Sequence, residues 1–118
     1  MNRYLTRAGL GICLVASSIL LSGCGQTSGG LSDAELQGRG LFNLHCASCH
    51  EDANPELKKQ PPKLKGLFGS TRLPSGAPAT DDQVRKTIIE GRGTMPAFDQ
   101  RLNADDVDDL IKYLHLLR

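Results

Sequence analysis

One five-residue stretch limits this chain more than any other: Cys46-Ala47-Ser48-Cys49-His50, a Cys-x-x-Cys-His pentad, the attachment signature of a c-type haem. Two thiols three positions apart can each add across one vinyl group of the macrocycle, and the adjoining imidazole then faces the iron. Other readings of two nearby cysteines fit less well. A zinc site needs a second ligand pair, and His45 and His115 are the only other histidines. A thioredoxin-like redox pair should open a helix after a strand in an alternating β/α pattern, which the chain lacks. The pentad therefore implies one covalently held haem c, bound through Cys46 and Cys49 with His50 as the proximal iron ligand.

The chain has 118 residues, and the first thirty read as export machinery. Arg3 and Arg7 form a short basic lead, and Ala8 to Leu21 is apolar. Leu21-Ser22-Gly23-Cys24 then resembles the lipobox of bacterial lipoproteins. On that reading residues 1–23 are a signal peptide that is removed. Cys24 becomes the lipidated first residue, 24–31 is a flexible tether rich in Gly, Ser and Thr, and 32–118 is the folded domain. The apolar run falls short of the ~20 residues a spanning helix needs. An uncleaved membrane helix and plain cleavage to a soluble exported form stay open as alternatives. Lipidation would hold the protein to a bacterial membrane, facing the periplasm or the cell exterior.

Removing 23 residues from 118 leaves 95, enough for one domain, with 12 basic and 13 acidic residues. That balance gives no reason to expect nucleic acid as a partner. The cysteines are all spoken for without a disulfide: Cys13 leaves with the signal, Cys24 takes lipid, and Cys46 and Cys49 take the haem. A domain this small has a limited core, and a covalent haem gives it a large apolar surface to fold against.

Helical signals follow in chain order. Ser32 and Glu35 have capping-box spacing, so a helix is expected from there, interrupted by Gly38 and Gly40, for which close packing against another helix is the expected reason. Glu51 to Ser70 carries Pro55, Pro61 and Pro62 and should form no regular helix. Asp81 and Asp82 precede Val84, Ile88 and Ile89 at helical spacing, with Gly91 as the stop. Asn103 can cap a final helix in which Val107, Leu110, Ile111 and Leu114 share one face. The acidic run Asp105, Asp106, Asp108 and Asp109 reads as a solvated capping turn, and His115 as a surface residue.

Several of these residues together resemble the small class I cytochromes c of the mitochondrial-type fold. Gly38 and Phe42 lie eight and four positions before Cys46, where that family has a glycine and an aromatic. Asp109 to Leu114 looks like its C-terminal helix, with Leu110 and Tyr113 expected to pack on Gly38 and Phe42. The resemblance implies an all-α cytochrome c fold: three to four short helices around one haem, with the N- and C-terminal helices crossing. It further implies that Pro62, twelve positions after His50, accepts the proximal imidazole's Nδ1 proton on its carbonyl. Leu64, Leu67 and Phe68 would line the haem edge, or simply close a small core. The chain departs from mitochondrial members in lacking Trp and in the shorter span from His50 to Met95. Arg72 and Arg92 are candidate partners for the haem propionates.

Once Met1 is gone, Met95 is the only methionine. It stands in Gly93-Thr94-Met95-Pro96-Ala97-Phe98, where Gly93 is expected to allow close backbone approach and Pro96 to fix the turn. A very similar stretch bears the sixth iron ligand in small bacterial cytochromes c. Met95 is accordingly the expected second axial ligand, with His45 as rival. Two protein ligands leave iron no open position, so the expected function is single-electron transfer between redox partners of a respiratory chain, by a monomer that is not an enzyme. The alternatives are a cytochrome subunit of a dehydrogenase or oxidase complex, and a haem protein with a labile sixth ligand that binds gas or peroxide. Lys58, Lys59, Lys63 and Lys65 form either a steering patch for an acidic partner or an ordinary solvated face.

Overall fold

The capping residues nucleate the helices as their local chemistry requires. In the computed structural model, which describes residues 30–51 and 55–118, α1 runs Asp33–His45 and starts on Ser32. The Ser32 amide and hydroxyl donate to the Glu35 carboxylate at 2.6 and 2.8 Å, and the Glu35 amide donates back to the Ser32 hydroxyl. Those donors, the backbone amide foremost, hold the Glu35 pKa below the ordinary glutamate value. The stabilisation they bring is present at neutral pH and is lost as pH falls through that lowered pKa.

A second, one-turn helix α2 covers Ala47–His50, and a 3₁₀ turn follows at Leu67–Gly69. Helix α3 spans Asp81–Glu90, capped by Thr80, and ends at Gly91 with φ 71°. Helix α4 spans Ala104–Leu114 on a capping box formed by Asn103 and Asp106, with bonds of 2.9 and 3.0 Å. Such a cap contributes about 1 kcal/mol. The described residues contain no strand, only two isolated bridges, and no helix long and apolar enough to cross a membrane. The proposed signal peptide, Cys24 and most of the tether lie outside the described residues.

Helix α1 crosses α4, and α3 packs on α4 as well. A Cβ built on Gly38 would stand 2.6 Å from the Asp109 carbonyl carbon and 2.9 Å from Tyr113 Cβ, so this glycine is what lets the two backbones touch. One turn on, Phe42 is 1% exposed and meets the Tyr113 ring at 5.4 Å between centroids. At Gly38 the nearest atoms belong to the Asp109 backbone and Tyr113, and Leu110 is buried in the same core cluster as Phe42, as expected. One expectation needs correcting. Gly40 points into open space, so close packing explains only one of the two helix glycines.

The acidic run divides along α4. Asp106 caps the helix, Asp108 pairs with Arg85 of α3, and Asp109 accepts from Lys112 at 2.8 Å. His115 is exposed as expected, yet its ring stacks on Phe68 at 3.8 Å and Nε2 meets Asp81 at 2.8 Å, tying the ends of α3 and α4 to the 3₁₀ turn. The core also draws on loop residues outside any periodic pattern, namely Leu73, Phe98 and Leu102.

Candidate haem site

Cys46 closes α1 and opens α2. Its carbonyl accepts the amides of Cys49 and His50 at 3.1 and 2.9 Å, winding the pentad into a single helical turn. Positions i, i+3 and i+4 on such a turn share one face, so the two thiols and the imidazole are presented together. Both cysteines are half-buried and unbonded to each other, and His50 is 9% exposed.

The His50 Nδ1 lies 2.7 Å from the Pro62 carbonyl oxygen. A carbonyl can only accept, so Nδ1 carries the proton and the Nε2 lone pair stays free. This is the tautomer an iron ligand needs, and the contact is the one implied for Pro62. The loop that delivers Pro62 is tied down at two points just after it. Lys63 Nζ donates to the Glu51 carbonyl beside His50, and the Gly66 amide donates to the Leu117 carbonyl at 2.6 Å. A cavity of about 510 Å³ opens here, with Phe42, His50 and Leu64 in its wall and Lys63, Lys65 and Arg118 around it.

Leu67 belongs to the buried core, and Leu64, Phe68, Cys46 and Met95 all pack against that same cluster. Met95 sits at the end of a two-residue hairpin: Arg92 and Met95 exchange amide-to-carbonyl bonds of 3.0 Å each. Gly93 takes φ 60° in this turn but has open space around it. Close approach falls instead to Gly91, where a Cβ would stand 2.6 Å from the Met95 carbonyl oxygen and 2.7 Å from the Ala97 amide. Gly91 thus both ends α3, as expected, and makes the close approach that was expected of Gly93. The rival ligand His45 packs its ring edge-on against Phe98 at 6.0 Å. Arg72 donates to the Gly76 carbonyl within its own loop at 2.7 Å, and Arg92 is exposed.

The donor set suits haem and suits the competing chemistries badly. Burial, with Cys49 adding to it, pushes the Cys46 thiol up to about 11, so the free thiol stays protonated at neutral pH and makes a poor redox nucleophile. Among the described residues no three His, Cys, Asp or Glu side chains are grouped to hold a bare metal ion. Paired thiols, a buried imidazole of fixed tautomer and an apolar wall define a c-type haem protein.

Comparison with known proteins agrees. The family model described as cytochrome c oxidase, cbb3-type, subunit III matches residues 33–114. Cytochrome c6 of Thermosynechococcus vestitus is 25% identical over 111 residues, covering 89% of this chain and 87% of that protein. The cytochrome c subunit of the cytochrome bc1 complex of Corynebacterium diphtheriae is 30% identical over 87 residues, 72% of this chain but 28% of that protein. The structure of cytochrome c6 from the diatom Phaeodactylum tricornutum aligns over 68% of this chain and 88% of its own, with TM-score 0.49 and 24% identity. The chain belongs to the cytochrome c family, as a class I monohaem cytochrome with one covalently bound haem c, an electron-carrying protein.

Proposed function

We propose that the chain is an exported, lipid-anchored carrier of single electrons between respiratory partners, holding haem c through Cys46 and Cys49 with His50 and Met95 as axial ligands. The observation that carries this reading is the 2.7 Å bond from His50 Nδ1 to the Pro62 carbonyl, which spends the one imidazole proton on the protein and leaves Nε2 for iron. When bound, the haem supplies one-electron chemistry at its iron. The chain's residues do the rest. Pro62 keeps the His50 ring from rotating, while Phe42 and Leu64 give the cavity wall beside it an apolar surface. The Gly91–Phe98 turn offers a neutral thioether that favours the ferrous state over what a second imidazole would give. Ligands on both faces suppress substrate binding, so electron transfer is the activity that survives.

Mass spectrometry of the purified mature protein tests the covalent assignments: a haem adduct on the 46–50 peptide and a diacylglyceryl adduct on Cys24 are expected. Carbon monoxide should bind the reduced protein poorly. Ready binding would favour a gas- or peroxide-binding role.

Lys63 and Lys65 edge the cavity beside His50, and both are exposed. Reversing both charges is expected to slow electron transfer to an acidic partner on the order of tenfold at low salt, with the difference vanishing at high salt. Rates that do not respond to ionic strength would remove the steering role. A second reading, a cytochrome subunit of a larger oxidase or bc1-type assembly, draws support from the family model's description and from the bc1 relative. Co-purification of a stable partner complex from native membranes would favour it.

A further inference from the structure

Helix α1 has leucines on both sides. One face holds Gly38 and Phe42 against α4, and the opposite face presents Leu36, 43% exposed, and Leu44, 74% exposed, two turns apart. Between them lies Gly40, where even a Cβ would meet nothing within 4 Å, and Arg39 and Asn43 flank the row. Leu44 is the most exposed of the large apolar side chains described, and no neighbouring element covers it. Such a pair of leucines on a surface helix costs hydration unless something apolar covers it.

The length and end point of the preceding chain indicate what does. Only seven residues lie between Cys24 and Ser32, the cap of α1, and at about 3.5 Å per residue the eight steps reach roughly 28 Å at full extension. A lipid on Cys24 therefore keeps the start of α1, itself about 20 Å long, within that distance of the bilayer surface. Two leucines are too few to bring a free domain to a membrane. For a domain already tethered there, contact is an intramolecular event at high effective concentration, and a small apolar face suffices.

We infer that the Leu36–Gly40–Leu44 face of α1 rests on the membrane that holds the anchor, a lipid-surface contact that fixes how the domain sits above the bilayer. The inference rests on the lipid-anchored reading of Cys24. Its consequence lies in α1's own C-terminus. Cys46 caps the helix, so the orientation of α1 is passed rigidly to the pentad and to the haem plane. The haem is then presented to partners in one attitude instead of tumbling.

The test uses the lipidated holoprotein in oriented phosphatidylethanolamine–phosphatidylglycerol bilayers, reading linear dichroism of the haem absorption for wild type and for Leu36→Ser/Leu44→Ser. Both positions are exposed, and an unchanged visible spectrum and melting curve confirm that the variant is folded. Dichroism in the wild type that falls to the isotropic value in the double variant is the expected result. Isotropic wild-type signal, or dichroism that the two serines leave intact, overturns the contact while the anchor stands. A detergent-solubilised dimer that the double variant splits into monomers also overturns it, and assigns the face to a second copy of the chain. Mass spectrometry taken first separates the two readings, because a mature protein without the Cys24 adduct removes the anchor and the contact together.

Discussion

Replacing Gly38 by valine is expected to destabilise the holoprotein by about 3 kcal/mol or more, lowering its melting temperature by roughly 12–24 °C for a domain of this size. The added Cβ meets backbone atoms: the Asp109 carbonyl carbon stands 2.6 Å away, its oxygen nearer still, and Tyr113 Cβ lies at 2.9 Å. No rotamer change relieves a clash with backbone, so α4 must back away from α1. Phe42, Val107 and Leu110, each 1% exposed, lose close packing when it does. Two residues along the same helix, Gly40→Ala should do the reverse. Its Cβ meets nothing within 4 Å, so only the helix preference for alanine acts, worth about 1 kcal/mol of added stability. Thermal unfolding of the two variants side by side is the measurement. Similar shifts for both would mean that the α1–α4 crossing is looser than the Gly38 contact demands.

That pair of glycines also marks where sequence reading stops. Helix starts were legible because caps are local chemistry. Ser32 with Glu35, and Asn103 with Asp106, satisfy backbone amides three residues away, whatever the rest of the chain does. The haem pentad was legible for the same reason, since a Cys-x-x-Cys-His turn builds its own face. The crossing of α1 on α4 came from the resemblance, and the structure agrees. Which glycine sits at a crossing depends on a helix seventy residues later, so Gly38 and Gly40 could not be told apart by periodicity, nor Gly91 from Gly93. Leu73, Phe98 and Leu102 enter the core from loops, where no repeat announces them. The Phe68–His115–Asp81 contact joins three segments that share no motif. Asp108 looked like one more solvated carboxylate until α3 brought Arg85 beside it.

Met95→Ala is expected to abolish the sulfur-to-iron charge-transfer band of the oxidised protein, lower the reduction potential and let carbon monoxide bind the reduced form. The loop around it should stay in place, which makes the loss attributable to sulfur. Arg92 and Met95 bond through their backbones at 3.0 Å in both directions, and the Phe98 amide holds the Ile88 carbonyl at 3.1 Å, none of which involves the Met95 side chain. Gly91→Ala is the complementary test. Gly91 has φ 71°, and an added Cβ would press on the Met95 carbonyl oxygen and the Pro96 carbonyl carbon at 2.6 and 2.7 Å. That variant moves the loop as a unit, so it should weaken the same band and also melt earlier, while Met95→Ala changes the spectrum with a smaller loss of stability. A wild-type protein without that band would take the ligand role away from sulfur. His45, the other candidate, would then have to leave its packing against Phe98 to reach the iron, and His45→Ala, not Met95→Ala, would open the reduced iron to carbon monoxide.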